Sequence, residues 1–199
     1  MHSDGKMELP YKIILASNSP RRRELLGGLG IDFTVKVISG IDESWPRDLK
    51  GEEIPLYISR EKAEPYKTLV KPDELVITAD TIVYVDGQVL GKPHDKSDAK
   101  RMLHLISGRW HEVITGVTLM TSDRERSFAV TTRVKFANLT DNEINSYVES
   151  GLPMDKAGAY GIQEWIGYVG VEAIEGSYFN VVGLPVQRLY RELITFCNQ

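Results

Sequence analysis

The first candidate site is a cluster of hydroxyl and guanidinium groups at residues 17–23, Ser-Asn-Ser-Pro-Arg-Arg-Arg, which follows a short apolar run. Ser19 is a favourable helix N-cap and Pro20 suits the first helical position, so a helix is predicted to begin here. The N–H groups and dipole of a helix N-terminus attract anions, and arginine binds phosphate oxygens bidentately. Arg21 and Arg22 oppose the helix dipole unless an anion lies beside them. The pattern favours a phosphate site over a plain Ser N-cap followed by solvated arginines.

A second candidate is Asp80, which lies between two apolar runs, residues 75–79 and 81–85, that are each typical of a strand. Burying a carboxylate at the end of a strand costs free energy unless a cation accompanies it. The position therefore favours a metal ligand or a general base. The alternative is an aspartate paired with a nearby lysine or arginine, or one that lies in a turn.

Four polar residues elsewhere in the chain carry a weaker signal, because each is isolated in the sequence. Glu43 could be a second metal ligand or a surface acid, and Lys62 lies on a predicted helix where a solvated salt bridge is the simpler interpretation. Lys92 follows a predicted strand directly, and Gln163 ends a Gly-rich segment. His111 is predicted to be a strand residue and not a catalytic one.

Helices and strands alternate along the chain and must position these groups. Apolar runs and alternation predict strands at residues 11–16, 33–38, 75–79, 81–85, 110–120, 128–136 and 168–174. Helical spacing, caps and breakers predict helices at residues 20–26, 52–69, 97–106, 140–148 and 186–196, the second of them kinked or ended by Pro65. Interleaved elements together with hairpin signals predict an α/β fold with a mixed sheet.

Composition excludes several classes of protein. The 199 residues are 42% hydrophobic and 26% charged, which is typical of one globular domain. A formal net charge of -4 disfavours nucleic-acid binding, and no apolar run approaches the roughly 20 residues that span a bilayer. The single cysteine, Cys197, cannot form an internal disulfide and fits a cytoplasmic location. Residues 1–10 are predicted to be a polar tail without a secretory signal.

Four segments together resemble the Maf family of nucleoside triphosphate pyrophosphatases, over about residues 12–196. The segments are ASNSPRR at residues 16–22, ADTIV at 79–83, GKP at 91–93 and DKAGAYGIQ at 155–163. The resemblance implies a mixed twisted sheet flanked by helices, with two lobes around a central cleft, similar to the inosine triphosphatase-like fold. Residues 11–199 are then expected to form a single two-lobed catalytic domain.

The resemblance also implies an activity, the metal-dependent hydrolysis of a nucleoside triphosphate to the monophosphate and pyrophosphate. Asp80 matches the catalytic aspartate of the family. The positions tied to substrate choice are Arg22, Thr81 and Gln163. The positions expected to hold phosphate are Ser17, Ser19, Arg21, Lys62 and Lys92. The residues expected to hold Mg²⁺ or Mn²⁺ are Asp80 and Glu43.

Residues 160–163 resemble the branch of the family that acts on dTTP and UTP, and not the branch that acts on 7-methyl-GTP. The resemblance is also compatible with modified pyrimidine triphosphates as substrates. The chain departs from many members after Gln163, because it continues with residues 164–167, Glu-Trp-Ile-Gly, where those members have a glycine directly. A homodimer is implied by the resemblance. The alternative function, from a different class, is a nucleotide-binding regulator of cell division (septum formation) with little turnover.

Overall fold

The computed structural model describes residues 2–3 and 6–198. The strands are β1 (His2–Ser3), β2 (Lys6–Met7), β3 (Lys12–Leu15), β4 (Phe33–Val35), β5 (Glu74–Val85), β6 (Gln88–Leu90), β7 (Trp110–Met120), β8 (Glu125–Phe136) and β9 (Val171–Glu175). The α-helices are α1 (Pro20–Gly27), α2 (Glu53–Ala63), α3 (Lys96–Ile106), α4 (Asp141–Glu149), α5 (Trp165–Gly170), α6 (Tyr178–Val182) and α7 (Val186–Cys197). Short 3₁₀ turns lie at Glu64–Tyr66, Leu152–Asp155 and Ala157–Ala159.

Within the described residues, seven strands form one mixed sheet in the order β4-β3-β5-β7-β8-β9, with β6 paired to β5. Strand β3 is parallel to both β4 and β5, whereas β6 is antiparallel to β5 and β9 is antiparallel to β8. The predicted α/β class with a mixed sheet is therefore confirmed. Within the described part of the chain, no helix is long and apolar enough to cross a membrane.

The chain divides into two compact units. The first unit comprises Met1–Asp80, Thr115–Val130 and Gly183–Gln199, and the second comprises Thr81–Ile114 and Thr131–Val182. In the predicted tail, β1 pairs antiparallel with β2, and Met1, Asp4 and Gly5 lie outside the described residues. The tail at residues 1–10 and the single catalytic domain at residues 11–199 both stay predictions.

The first unit has a buried apolar layer on each face of β5, because successive strand side chains point to opposite faces. Leu75 and Ile77 pack in one cluster with residues of α1 and α7. Val76 packs in the other cluster with Ala63, the last residue of α2. The even-numbered positions of β5 therefore face α2, and Asp80 falls on that face.

The second unit has a core between α3 and α4, with aromatic rings at one end of the strands. Leu103 of α3 and Ile144 of α4 are fully buried. Phe136 and Tyr160 pack edge to face with their ring centroids 4.8 Å apart. Helix α4 begins with the predicted capping box, in which Thr140 and Glu143 satisfy each other's backbone N–H groups.

Several sequence-based boundaries differ from the structure, and two of the differences have a clear physical reason. Asp80 does not separate two strands but lies inside the continuous strand β5, because an ionic partner lets a carboxylate occupy a buried strand position. Residues 168–170 are helical and not the start of a strand. The apolar run there was misleading, since Tyr168 is 83% exposed whereas Ile166 and Gly170, four residues apart, are the buried positions of α5.

Candidate active site

The centre of the candidate site is a lysine between two carboxylates in the first unit. Nζ of Lys62 donates a hydrogen bond to Oδ1 of Asp80 at 2.7 Å and lies 3.1 Å from Oε1 of Glu43. The side chains of Lys62 and Asp80 are 15% and 12% exposed, whereas that of Glu43 is 59% exposed. No described residue hydrogen-bonds to Oδ2 of Asp80. The structure thus brings together three of the predicted site residues and leaves one carboxylate oxygen available.

Buried hydroxyl groups hold α2 against the sheet and so position Lys62. Thr78 Oγ1 donates to the carbonyl oxygen of Ser59 at 2.6 Å, and Ser59 Oγ lies 2.9 Å from Thr118 Oγ1. Thr78 shares a face of β5 with Asp80, and Ser59 lies one helical turn before Lys62. The contacts that fix the helix therefore also fix the lysine relative to the carboxylate.

Gly116 on β7 allows α2 to lie this close, because a Cβ atom there would be 2.2 Å from the carbonyl oxygen of Pro55. Gly116→Ala should therefore push α2 outward, at a cost of about 1–3 kcal/mol in the free energy of unfolding. Since misplacing a site residue by an ångström is costly, we expect kcat to fall by about tenfold or more. Thermal unfolding would measure the first effect, and a turnover assay would measure the second.

Gly27→Ala is the matched control for Gly116→Ala, since a Cβ at Gly27 would make only an ordinary contact, 3.9 Å from the Phe33 ring. Alanine is also favoured over glycine in a helix. Equal kcat values for Gly116→Ala and Gly27→Ala would contradict the inference that the close approach of α2 to Gly116 positions Lys62.

The N-terminus of α1 has the predicted cap. Ser19 Oγ accepts a hydrogen bond from the N–H of Arg22 at 3.4 Å, and Ser17 Oγ accepts one from the N–H of Ser19 at 3.2 Å. Ser17 is 7% exposed. The hydroxyl oxygens thus receive backbone N–H groups at the position where the sequence predicts an anion, and Arg21 follows in the first turn of the helix.

Arg22 makes contacts that the sequence did not indicate. Its Nη1 donates to the carbonyl oxygen of Ala79 at 2.8 Å, and its Nε donates to that of Gly183 at 2.9 Å. Burial lowers the pKa of Arg22, an effect that the charge of Asp80 opposes. One guanidinium donor therefore ties α1 to the backbone next to Asp80, and a second ties it to the backbone at Gly183.

The remaining predicted residues lie in the second unit. Thr81 follows Asp80 on β5 and is partly buried. Lys92 is exposed, and the preceding Gly91 accepts a backbone hydrogen bond from Gly158 at 3.1 Å.

Gln163 is exposed and no described residue hydrogen-bonds to its amide. It lines a pocket of about 450 Å³ together with Ile162, Gly167, Tyr168, Val171, Ile174 and Tyr178.

Sequence reasoning missed two residues that organise the segment before Gln163. Lys156 is 8% exposed and Tyr147 is 3% exposed, and both contact the carboxylate of Glu164. Tyr147 carried no local signal beyond its position in an amphipathic helix. Lys156 was visible only as part of a Gly-rich segment, and a buried lysine cannot be distinguished from a solvated one by its neighbours in sequence.

His111 is a buried residue of β7, in agreement with its predicted strand position. Its Nε2 lies 2.7 Å from the hydroxyl of Tyr160, and its Nδ1 is buried without a partner among the described residues. Burial lowers the pKa of His111 to about 4. The imidazole is therefore neutral near pH 7 and belongs to the core.

The two carboxylates offer oxygen ligands of the kind that a divalent cation binds. Among the described residues, no cluster of three or more His, Cys, Asp or Glu side chains is placed to hold a metal ion. Asp80 and Glu43, however, each place an oxygen within 3.1 Å of one ammonium group. Magnesium is commonly bound by one or two carboxylates together with substrate phosphates and water. The donor set fits such an ion when a polyphosphate supplies further oxygens.

Comparison with known proteins assigns the chain to a family. A dTTP/UTP pyrophosphatase from Phocaeicola vulgatus is 63% identical over 183 residues, covering 92% of this chain and 95% of the relative. A dTTP/UTP pyrophosphatase from Bacteroides fragilis is 60% identical with the same coverage. The solved structure of a HAM1 protein from Coxiella burnetii is 14% identical and covers 93% of this chain and 99% of that chain, with a TM-score of 0.49. A family model described as Maf-like protein matches residues 12–196. This chain belongs to the Maf-like protein family.

Proposed function

We propose that this protein hydrolyses nucleoside triphosphates, above all dTTP and UTP, to the nucleoside monophosphate and pyrophosphate. The observation that carries the proposal is the grouping of Asp80, Lys62 and Glu43, in a chain 63% identical to a dTTP/UTP pyrophosphatase. A triphosphate needs cations to bind and a base to activate water, and this grouping offers both kinds of group. Modified pyrimidine triphosphates belong to the same proposed substrate class.

The proposed reaction breaks the bond between the α-phosphorus and the oxygen that bridges it to the β-phosphorus. The oxygen of a water molecule bonds to the α-phosphorus, and pyrophosphate leaves with the bridging oxygen. Oδ2 of Asp80, which has no partner among the described residues, takes a proton from the water. General-base help of this kind typically contributes about 10²–10⁴-fold.

Two carboxylates are proposed to hold the metal ion, Mg²⁺ or Mn²⁺. Asp80 and Glu43 offer the oxygen ligands that these hard cations prefer. When bound, the ion would supply charge neutralisation at the phosphates and acidify a water molecule. Lys62, which lies between the carboxylates, would then turn its ammonium group toward a phosphate oxygen.

The remaining polar residues are proposed to bind the triphosphate and choose the base. The phosphate ligands are Ser17, Ser19, Arg21, Lys62 and Lys92. The residues proposed to influence substrate choice are Arg22, Thr81 and Gln163. The Gln163 amide can both donate and accept, which matches the acceptor–donor–acceptor edge of uracil and thymine. Cytosine presents a donor at its 4-position. When cytosine occupies a site that matches uracil, hydrogen-bonding groups of the protein are left without partners.

A panel of nucleotides tests this proposal. We expect dTTP and UTP to be hydrolysed far faster than dCTP, ATP and GTP, as measured by kcat/KM for pyrophosphate release. Gln163→Ala should reduce the ratio of kcat/KM for dTTP to that for dCTP, because it removes the amide that distinguishes the thymine edge from the cytosine edge. Gln88→Ala changes another exposed glutamine of the second unit and should leave this ratio unchanged.

Three results of the panel would each count against a different part of the proposal. Preference for 7-methyl-GTP would contradict the assigned substrates. An unchanged ratio in Gln163→Ala would contradict the role of that residue. Tight binding of dTTP without pyrophosphate release would indicate a nucleotide-binding regulator of cell division instead of an enzyme. Homodimer formation is proposed on the resemblance alone, and sedimentation equilibrium would test it.

A further inference from the structure

Glu164 lies directly after Gln163, and its carboxylate points into the protein. The Glu164 side chain is 19% exposed, and its Oε1 lies 2.7 Å from Nζ of Lys156. Its other oxygen, Oε2, accepts a short hydrogen bond from the hydroxyl of Tyr147. Both oxygens therefore have a donor from within the second unit. The charge that Glu164 adds to the chain is compensated internally.

Lys156 is committed to this network and has no donor left for a ligand. Its ammonium group donates to the carbonyl oxygen of Leu152 at 2.7 Å, to Oδ1 of Asp155 at 2.5 Å and to Glu164. A lysine has three N–H donors, and these three contacts use all of them. Since its side chain is only 9% exposed, the lysine serves as a buried counter-charge.

Tyr147 connects the network to the backbone before Gln163. Its hydroxyl donates to Glu164 and accepts a hydrogen bond from the N–H of Gly161 at 3.1 Å. A Cβ at Gly161 would lie 2.8 Å from side-chain atoms of both Glu164 and Lys156. A larger residue at position 161 would therefore have to displace the side chains of the ion pair, which glycine leaves in place.

The segment that these contacts hold contains an unfavourable backbone conformation. Ala159 has a φ angle of +59°, in the left-handed region that residues with a Cβ adopt rarely. Such a conformation persists only where the surroundings determine it. The contacts of Gly161 and Glu164 hold the chain before and after Gln163. The amide of Gln163 has no partner among the described residues, and the residue lines the 450 Å³ pocket.

We propose that Glu164 is a positioning residue for base selection, which holds Gln163 at the pocket through its contacts with Lys156 and Tyr147. This inference rests on the proposed function, since Gln163 must first be the residue that chooses the base. It assigns to Glu164 an internal role and not a contact with the nucleotide.

The decisive variant is Glu164→Gln, because an amide has one acceptor oxygen where the carboxylate accepts at both. One of the two donors, Lys156 or Tyr147, then loses its partner, and the loop holding Gln163 loosens. We expect the ratio of kcat/KM for dTTP to that for dCTP to fall about tenfold, with dCTP turnover little changed. Tyr147→Phe removes the other end of the same contact and should lower the ratio in the same direction.

Glu149→Gln is the matched control. Glu149 is also in the second unit, but it is 59% exposed and pairs with Lys96 at the surface, where ion pairs contribute little. Its substitution should leave the ratio at the wild-type value. Circular dichroism of each variant would verify the fold, and Tyr147→Phe decides the question if Glu164→Gln does not fold.

The outcomes separate this inference from the proposed function. A wild-type protein that releases no pyrophosphate from dTTP would refute the function itself. A selective wild-type enzyme whose Glu164→Gln variant keeps the same dTTP-to-dCTP ratio would refute the role of Glu164 alone. An equal loss with all nucleotides at an unchanged ratio would also refute it, because it would show a contribution to stability only.

Discussion

Asp80→Asn is expected to abolish hydrolysis while leaving the fold intact. Asparagine has nearly the same volume, and its amide oxygen can still accept the hydrogen bond that Lys62 donates at 2.7 Å. The change removes the negative charge that would bind a metal ion. It also removes the basic oxygen that would accept a proton from water. Loss of general-base catalysis alone predicts a fall in kcat of about 10²–10⁴-fold, to be measured by pyrophosphate release from dTTP.

Asp73→Asn provides the comparison for Asp80→Asn, since Asp73 lies in the same unit and pairs with Lys12 at the surface. Exposed pairs of this kind contribute little, so this variant should retain the wild-type rate. Suppose instead that Asp80→Asn has a normal circular dichroism spectrum and keeps more than about a tenth of the rate, a loss under roughly 1.4 kcal/mol. Asp80 would then be neither the base nor the main metal ligand.

Removal of divalent cations should have the second largest effect. Asp80 and Glu43 place two negative charges beside Lys62, and a triphosphate brings several more. A bound cation is worth several kcal/mol at a phosphoryl centre, so we expect EDTA treatment to lower the rate by about 10²-fold or more. Added Mg²⁺ or Mn²⁺ should restore it.

EDTA already saturated with magnesium is the control for chelation, and it should leave the rate unchanged. Glu43→Gln should raise the concentration of metal needed for half-maximal rate, because one of the two carboxylates becomes neutral. Full activity in protein freed of metal by EDTA and dialysis would overturn the assignment of Asp80 and Glu43 as metal ligands.

Local signals in the sequence were sufficient for several elements of this structure. The cap at Ser19 and the capping box at Thr140 were visible because each depends on residues within four positions. Strands β7 and β8 were recognisable from apolar alternation. Asp80 attracted attention because a carboxylate in an apolar run is costly, and the structure gives it a cationic partner.

Contacts between distant residues could not be predicted from those local signals. The hydrogen bond between Lys62 and Asp80 depends on which face of β5 meets α2, and that is determined by the packing of Val76 and by the hydroxyl contacts of Thr78. The local sequence does not distinguish a solvated lysine on a helix from a buried one. The inward turn of Glu164 likewise depends on Tyr147, 17 residues earlier.

The position of Lys62 has a thermodynamic consequence for the folded state. Two carboxylates that share a covalently attached ammonium group already have a counter-charge, so the chain does not need a metal ion to relieve their repulsion. Small domains that depend on a structural metal unfold when it is withdrawn, because metal binding supplies their folding free energy. A bound metal ion would compete here with a resident cation, so we expect chelation to lower turnover and to leave the melting temperature nearly unchanged.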